Sequence, residues 1–430
     1  MKKFMLLLAL ALFILSGNAL AEEKTKIVFW HSMSENNGTV LEERVQAFNE
    51  TLGAELGIQV ESVYQGSYHD AVTKMNSMIS TGNQKDLPDV MVLDATGKVV
   101  YSQAPMAYTI DAWMKDAPDF KLDDYLSPAL LNWNLGGVQL GLPFATSTTV
   151  TYYNKTVLDA NGIAAPDTLA DIGAIGALID HDKEHIYACV PNTPTLANWL
   201  GQMGSYLVNE QNGSNGTAVR LDCIENGALE SFLETWKALY ATGALENTSA
   251  SSDEFAAGLL LIYNSSSSGI ASMLEKIDGK FELGVSAYPR VNEDAAFGAS
   301  VSGSCLVAFD HGQERLDAAK AFMLYLTSAD VQVDYAMKTG YIPSCQSALE
   351  SEAWKAFIAE NPVYAAAANQ LVSTPAGMRS VTVGPAADFY YAIMNDITEM
   401  LDDDLSASET AEMMDEDLTG MLEQYAKANP

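Results

Sequence analysis

Gly141 to Lys155 reads GLPFATSTTVTYYNK, and the reading of this stretch decides the fold. Thr149, Val150, Tyr152 and Tyr153 are β-branched or aromatic, the residue types that favour a strand. Pro143 cannot donate to a ladder, so it belongs at the strand's start or edge. Asn154-Lys155 closes the strand, and Thr156 to Gly162 (TVLDANG) reads as a short helix ended by Asn161-Gly162. The hydroxyls of Thr146, Ser147, Thr148 and Thr149 lie beside Phe144 and the tyrosines. That grouping suggests a strand that crosses between two lobes and offers donors to a polar ligand. An ordinary central strand with a threonine-rich face fits the same residues, and the stretch alone leaves both open.

Upstream, the order of elements is strand, helix, strand, helix, strand. Lys26 to Trp30 (KIVFW) is a buried-strand run, and Thr39 to Leu52 carries apolar residues near a 3.6 spacing. Ile58 to Tyr64 alternates as a second strand, His69 to Ser80 is a second helix, and Leu87 to Asp94 is a third strand ending in an acid. This order implies an α/β lobe with a largely parallel sheet. Ligands of such sheets bind outside the carboxyl ends of the strands. Trp30, His31, Tyr68 and Asp94 all fall at strand ends or near the following helix start. Ala95 to Leu140 reads as helical and loop-like.

Downstream, Asp167–Ile179, Asn198–Leu207, Ala228–Ala241 and Ile270–Ile277 read as helices, and Asn209–Gly216 as an exposed loop. Ser265 to Gly269 (SSSSG) opens the helix at Ile270. Such a turn can present free amides to an anion, or simply cap the helix. Leu283–Pro289 and Ser300–Phe309 are strands, and Asp317–Leu326 and Ala329–Lys338 are helices. Gly340 to Pro343 is a tight extended link. Thr374 to Val383 is a loop with a single arginine in an arginine-poor region, Arg379. It reads either as a bidentate anion clamp or as the partner of one of the many acids.

The chain has 430 residues, enough for two sizeable cores. Residues 1–21 show a signal-peptide pattern: Lys2 and Lys3, an apolar run from Phe4 to Leu15, and Ala19-Leu20-Ala21 as the cleavage site. The mature chain is therefore expected to be exported and soluble, in the periplasm or an equivalent compartment. The net charge of −33 makes nucleic acid and anionic membrane poor partners. A small anion can still be held by a local group of donors. Cys189, Cys223, Cys305 and Cys345 permit two disulfides in three pairings. No metal-ligand spacing, nucleophile elbow or Ser-His-Asp set is apparent. No cofactor is expected, and a binding role is preferred to an enzymatic one. An exported polysaccharide-active enzyme would need paired carboxylates, and Asp94 has no positioned partner in the sequence.

FWHSM at Phe29–Met33, PDVMVLD at Pro88–Asp94, LPF…TYYNK at Leu142–Lys155 and KTGYIP at Lys338–Pro343 occur in one order over nearly the whole mature chain. Together they resemble the family 1 extracellular solute-binding proteins of bacterial ABC importers, and most of all the binders of glycerol-3-phosphate and glycerophosphodiesters. The resemblance implies two α/β lobes around a ligand cleft, with crossing segments near residues 144–150, 285–289 and 341–345. Residues 22–145 and 285–343 would form the first lobe, and 146–284 and 344–430 the second. The resemblance implies binding residues at Tyr68, Asp94, Thr146, Ser147, Ser266, Ser267, Ser268, Gly303, Tyr341 and Arg379. Arg379, the serines and Tyr341 would surround a phosphate, and Asp94 would accept from glycerol hydroxyls. Two departures stand out. Asp94 replaces the subgroup's usual Glu, and the aromatic pair expected at the glycerol end is matched only by Trp199 within VPNTPTLANW. Sugar binders of the same broad family stack rings on aromatics and use acid and amide partners, roles open to Trp30, Tyr68, Asp94 and Trp199. An oligosaccharide is thus the alternative ligand. The expected partners are one small polar solute and the membrane permease, with the receptor a monomer that closes by hinge motion.

Overall fold

The computed structural model describes residues 24–179, 185–375 and 377–429. The expected leader lies outside them. The principal strands are β1 (Thr25–His31), β2 (Ile58–Tyr64), β3 (Val90–Asp94), β4 (Leu142–Asn154), β5 (His185–Ala188), β6 (Leu245–Glu246), β7 (Leu260–Ser266), β8 (Leu283–Ala287) and β9 (Val301–Phe309). They join one ten-stranded sheet in the order β2-β1-β3-β9-β4-β7-β5-β6, with β8 also on β4 and Ala107–Tyr108 on β9.

β1, β2 and β3 are parallel, as the alternation of strand and helix requires. Their crossovers are α1 (Glu35–Glu50) and α2 (Tyr68–Ser80). Side chains alternate across the sheet. Val90 and Val92 join the core with Ile27, Phe29 and the α1 residues Leu41 and Phe48. Met91 and Leu93 join the opposite core with Ala71 and Met75 of α2. The parallel run then stops. β9 is antiparallel to both β3 and β4, so the first lobe's sheet is mixed.

After β3 come α3 (Lys98–Ser102) and α4 (Ser127–Asn132). The second lobe is built by α5 (Thr193–Gln202), α6 (Ala228–Ala241) and α7 (Ile270–Ile277). α8 (Gln313–Leu326) and α9 (Ala329–Lys338) return to the first lobe. α10 (Pro362–Ser373), α11 (Ala386–Asp402) and α12 (Ala407–Ala428) close the chain. The helix expected at 39–52 runs Glu35–Glu50, and other limits shift as well. α5 starts five residues before the expected Asn198, because Asn192 caps it: its side chain accepts from the Thr195 N–H, and Pro194 stands in the first turn. The expected exposed loop at 209–216 is instead a tight turn with Asn209, Asn212 and Ser214 buried.

β4 is the shared strand. Residues Leu142–Thr148 pair with β9, and from Thr149 on the partners are β7 and β8. Pro143 is tolerated inside it because β9 slips register between Ser304 and Cys305, opposite that missing donor. Gly303 makes the slip possible. Its φ is +96°, and a Cβ there would lie 1.9 Å from the Ala145 carbonyl oxygen.

The crossings differ from expectation in their limits. Thr146–Thr148 still belong to the first lobe's ladder. Val285–Ala287 still pair with Tyr152–Val150, and Tyr288, Val291, Ala295 and Ala299 pack in the second lobe's core. The return to the first lobe therefore comes near Val301, later than residues 285–289, because β8 is a strand of the second sheet. The third crossing is fixed at Tyr341–Cys345, where the Ile342 N–H donates to the Thr146 carbonyl oxygen (2.8 Å). All four cysteines are free thiols.

Candidate functional site

The carboxyl ends of β1, β2 and β3 face the second lobe. The chain leaves β1 through His31, Ser32 and Met33. His31 is buried against Glu42 (Nε2–Oε1 2.9 Å), and burial lowers its pKa, so it is neutral near pH 7. A capping box sets the start of α2: Ser67 Oγ accepts from the Asp70 N–H, and the Ser67 N–H donates to Asp70 Oδ2 (3.0 Å). Tyr68 is the next residue, and the box holds it at the cleft. Its hydroxyl donates to Met33 Sδ (3.6 Å).

Tyr341 meets the same sulfur from the third crossing (3.4 Å) and stacks on Tyr335 at 5.6 Å. Gly340 lets this link pass the Ser267 carbonyl oxygen, which an added Cβ would approach to 2.3 Å. Burial pushes the Tyr341 phenol up to about 12 and Tyr68 well above its usual value, so both are donors at neutral pH. A thioether is a weak acceptor. Two phenols aimed at one sulfur, Tyr341 buried and Tyr68 half-buried, have much to gain from a ligand oxygen. Met33, Asn37, Tyr68, Ser272 and Tyr341 line a cavity of about 170 Å³ between the lobes.

Asp94 ends β3, opposite Ser304 of β9. Thr96 Oγ1 donates to Asp94 Oδ1 (2.6 Å). Burial raises the Asp94 pKa, and the Thr96 hydrogen bonds and the charge of Lys98 oppose the rise. Ser304 Oγ is buried without a partner.

On the second lobe, Ser266 and Ser268 share a hydrogen bond at the end of β7 (Oγ–Oγ 2.9 Å). The Ser268 carbonyl oxygen accepts from Asn37 Nδ2 across the cleft (3.4 Å). Arg379 lies on the loop after α10. The loop is strapped to the turn at 209–214. Asn212 Nδ2 donates to the Arg379 carbonyl oxygen (2.9 Å), and the Thr382 N–H donates to the Asn212 carbonyl oxygen (2.8 Å). Asn212, Gln211 and Glu210 hold left-handed φ values of 59°, 54° and 56° to make this strap. The guanidinium has one side-chain hydrogen bond, from Nη1 to Ser214 Oγ (3.4 Å), and its buried Nε has none. Among the described residues it has no acidic partner, unlike Arg44, Arg220, Arg290 and Arg315.

The structure thus gathers Tyr68, Asp94, Ser268, Tyr341 and Arg379 at the facing surfaces, with Ser266 and Gly303 beside them. It does not bring the other expected residues there. Thr146 (Oγ1–Ser344 Oγ 2.7 Å) and Ser147 (Oγ–Ser302 Oγ 3.0 Å) are buried and tie the crossings together. Ser267 is fully buried, its Oγ accepting from the Thr148 N–H (3.4 Å). Trp30 points to the α2 side of the sheet, is 5% exposed, and lies under Lys74 at 4.3 Å. Trp199 is fully buried in the second lobe, stacked on Phe232 and Tyr288, with its N–H on the Pro289 carbonyl oxygen (3.2 Å). Neither tryptophan can stack on a solute without leaving its core.

Lys98, Asn132 and Ser304 escaped the sequence reading. Lys98 is 2% exposed, and burial lowers its pKa to about 8. One signal was available: a lysine four residues after the acid that ends a strand, just before the apolar Val99-Val100-Tyr101.

The profile of a family described as bacterial extracellular solute-binding protein matches residues 43–363. The chain is similar to the sn-glycerol-3-phosphate-binding periplasmic protein UgpB of Yersinia pestis, 23% identical over 381 residues that span 84% of this chain and 83% of the relative. It is 24% identical to the protein of the same name in Rhizobium meliloti over 362 residues, 80% of each chain. Among solved structures it is similar to UgpB from Mycobacterium tuberculosis in complex with glycerophosphocholine, with TM-score 0.75 and 18% identity over 94% of this chain and 100% of the other. It is equally similar in fold to a cyclic alpha-maltosyl-1,6-maltose binding protein from Arthrobacter globiformis, with TM-score 0.76 and 16% identity over 93% and 100%.

Proposed function

The chain belongs to the bacterial extracellular solute-binding proteins, and from that premise we propose that it captures glycerol-3-phosphate or a glycerophosphodiester between its lobes. It then delivers the solute to the permease of an ABC importer. It works in the periplasm or an equivalent exported compartment, as a monomer, after loss of residues 1–21. A solute held by both lobes stabilises the closed form, which the membrane subunits engage.

The observation that carries this reading is Arg379. In a chain with 56 acidic side chains, it sits in the cleft without an ion pair among the described residues. A guanidinium held by its loop, with no acid on its head and only a long bond to Ser214 Oγ, fits an oxyanion, which it can meet through two parallel N–H donors. Ser266, Ser268 and Tyr341 supply neutral donors nearby, and Asp94 an acceptor for the hydroxyls of the glycerol part. The names of the UgpB relatives point the same way. The oligosaccharide alternative needs aromatic plates in the cleft; of the aromatics open to that role, Trp30 and Trp199 are core residues and Tyr68 remains at the cleft.

Thermal melting of the mature protein tests the reading against glycerol-3-phosphate, glycerophosphocholine, inorganic phosphate and maltose. A ligand at about 100 times its Kd adds roughly 2.7 kcal/mol of stability. A shift with phosphate esters that disappears in Arg379→Ala is expected. A shift with maltose alone, unchanged in Arg379→Ala, would reassign the protein to the oligosaccharide binders.

A further inference from the structure

Lys98 is the first residue of α3, on the connection that leaves the carboxyl end of β3. A lysine ammonium is strongly hydrated, and burying one without a partner is costly. Yet Lys98 is 2% exposed and makes no hydrogen bond or ion pair among the described residues. What surrounds it is Asp94 from the end of β3, Cys305 from β9, the Arg379 guanidinium from the second lobe, and the Trp133 ring 5.3 Å from its Nζ. The same corner holds further unused donors. Asn132 precedes Trp133, and its Nδ2 is buried without a partner, as is Arg379 Nε. Asn132 and Arg379 line one small cavity of about 10 Å³ between the lobes. Asn132 and Arg379 thus meet across the lobes, and Lys98, beside the Trp133 ring that follows Asn132, feels the charge of Arg379 with Asp94 as the one acid acting on it. A strongly acidic protein has kept a local excess of positive charge there.

We propose that Lys98 is the first lobe's anchor for the anionic group of the solute, opposed to Arg379 on the second lobe, so that a phosphate bridges the lobes through both cations. This rests on the reading of the cleft as the solute site and adds to it a residue and a reason for closure. With an oxyanion present, like charges that repel when the cleft is empty become two attractive contacts, and the attraction is complete only when the lobes meet. A neutral solute would leave the repulsion in place.

The test is calorimetric titration of the mature protein and of Lys98→Met and Lys98→Arg with glycerol-3-phosphate, glycerophosphocholine, inorganic phosphate, glycerol and maltose. Lys98→Met is expected to weaken both phosphate esters on the order of a hundredfold, and Lys98→Arg to recover most of that loss. The free Lys98→Met protein should melt no lower than wild type, since an unpaired buried charge has been removed. A second readout needs no variant. The ammonium is held near half charge at about pH 8 by burial, with Arg379 opposing its charge and Asp94 and the Cys305 thiol favouring it. An anion beside it restores the charge. Glycerophosphocholine has a diester phosphate with no titrating proton of its own, so its binding at pH 8 should draw in a fraction of a proton. That uptake is measured as a dependence of the binding heat on buffer ionisation, and it should vanish near pH 6. Inorganic phosphate binding as tightly as the esters would mean that the anion alone fills the site, which still supports the anchor. Phosphate esters that bind Lys98→Met as they bind wild type, or bind wild type without proton uptake, overturn the anchor and leave the phosphate-ester reading standing. Maltose binding in place of every phosphate compound, or no phosphate compound binding wild type, overturns both. If Lys98→Met does not fold, the proton uptake of wild type decides.

Discussion

At the entrance to β3, Asp89 is fully buried. Its Oδ2 accepts from Arg315 Nη2 (2.6 Å) and from the Val28 N–H (2.7 Å). At the exit of the same strand, Asp94 is half-buried, accepts from Thr96, and has near it a lysine that does not close on it. One acid is closed on a cation and a backbone donor through Oδ2, with its Oδ1 buried and unpartnered, while the other has only neutral donors on it. The difference teaches how a charge can be read: a buried acid closed on a cation of its own lobe maintains the fold, and one in a cleft whose neighbouring cation stays open is available to something else.

The contrast can be broken from either side. The largest effect expected is on stability at the entrance. Arg315→Ala leaves Asp89 buried without its cation and should cost about 3–5 kcal/mol, measured by urea unfolding, with solute affinity unchanged. A destabilisation below about 1 kcal/mol would mean that Asp89 is carried by backbone donors alone. At the exit the effect should move to binding. Asp94→Asn should weaken a glycerol phosphate by about 10- to 100-fold, roughly 1.4–2.7 kcal/mol, and leave the melting temperature of the free protein level or higher. A fall in that temperature with intact affinity would make Asp94 a structural acid like Asp89. Asp396 sharpens the comparison as a third case, a buried acid beside other acids. Burial, then the charges of Asp417 and Glu399, push its carboxyl up to about 7, and its Oδ2 has no partner. The folded chain therefore holds a proton that the unfolded chain releases near pH 4, so stability falls as pH rises from about 4 to 7. Asp396→Asn should stabilise the protein by about 1–2 kcal/mol at pH 8 and make no difference below pH 4. Equal stabilisation at both pH values would point to packing rather than charge.

Much of the fold was legible where one physical rule governed a segment. The helices at Ala228–Ala241, Ile270–Ile277 and Ala329–Lys338 and the strand at Ile58–Tyr64 match their expected limits, because local periodicity and their end signals agree. The misplaced α5 shows the reverse. Its apolar residues gave the period, but the start was fixed by the Asn192–Thr195 capping box. The polar run at 209–216 has the composition of a surface loop. Yet Asn212 Oδ1 accepts from the Leu207 and Val208 N–H groups, and Asn209 Oδ1 from the Val219 and Arg220 N–H groups. Asparagine side chains that replace backbone partners let such a turn be buried. The placement of three residues at the cleft was legible from recognisable stretches: Asp94 at the end of β3, Tyr68 at the start of α2 and Tyr341 in the link after α9. It was not legible at Trp30, where a shift of one residue along a strand turns the ring to the other face. Nor was it legible at Lys98, whose burial depends on β9 and on a loop almost three hundred residues away.

The place of β9 in the sheet has a consequence for the order of events as the chain is made. It lies between β3 and β4, so the first lobe is missing a central strand until residues 301–309 have been synthesised. A nascent chain of 160 residues already contains β1 through β4, but β3 and β4 have no ladder to share. Contacts this distant in sequence are slow to form, because loop closure precedes any reward. The amino-terminal half must therefore wait for the middle of the chain before its sheet is complete. Pulse-labelled hydrogen exchange during refolding would see this as β3 and β9 amides gaining protection together, no earlier than those of β7 and β8.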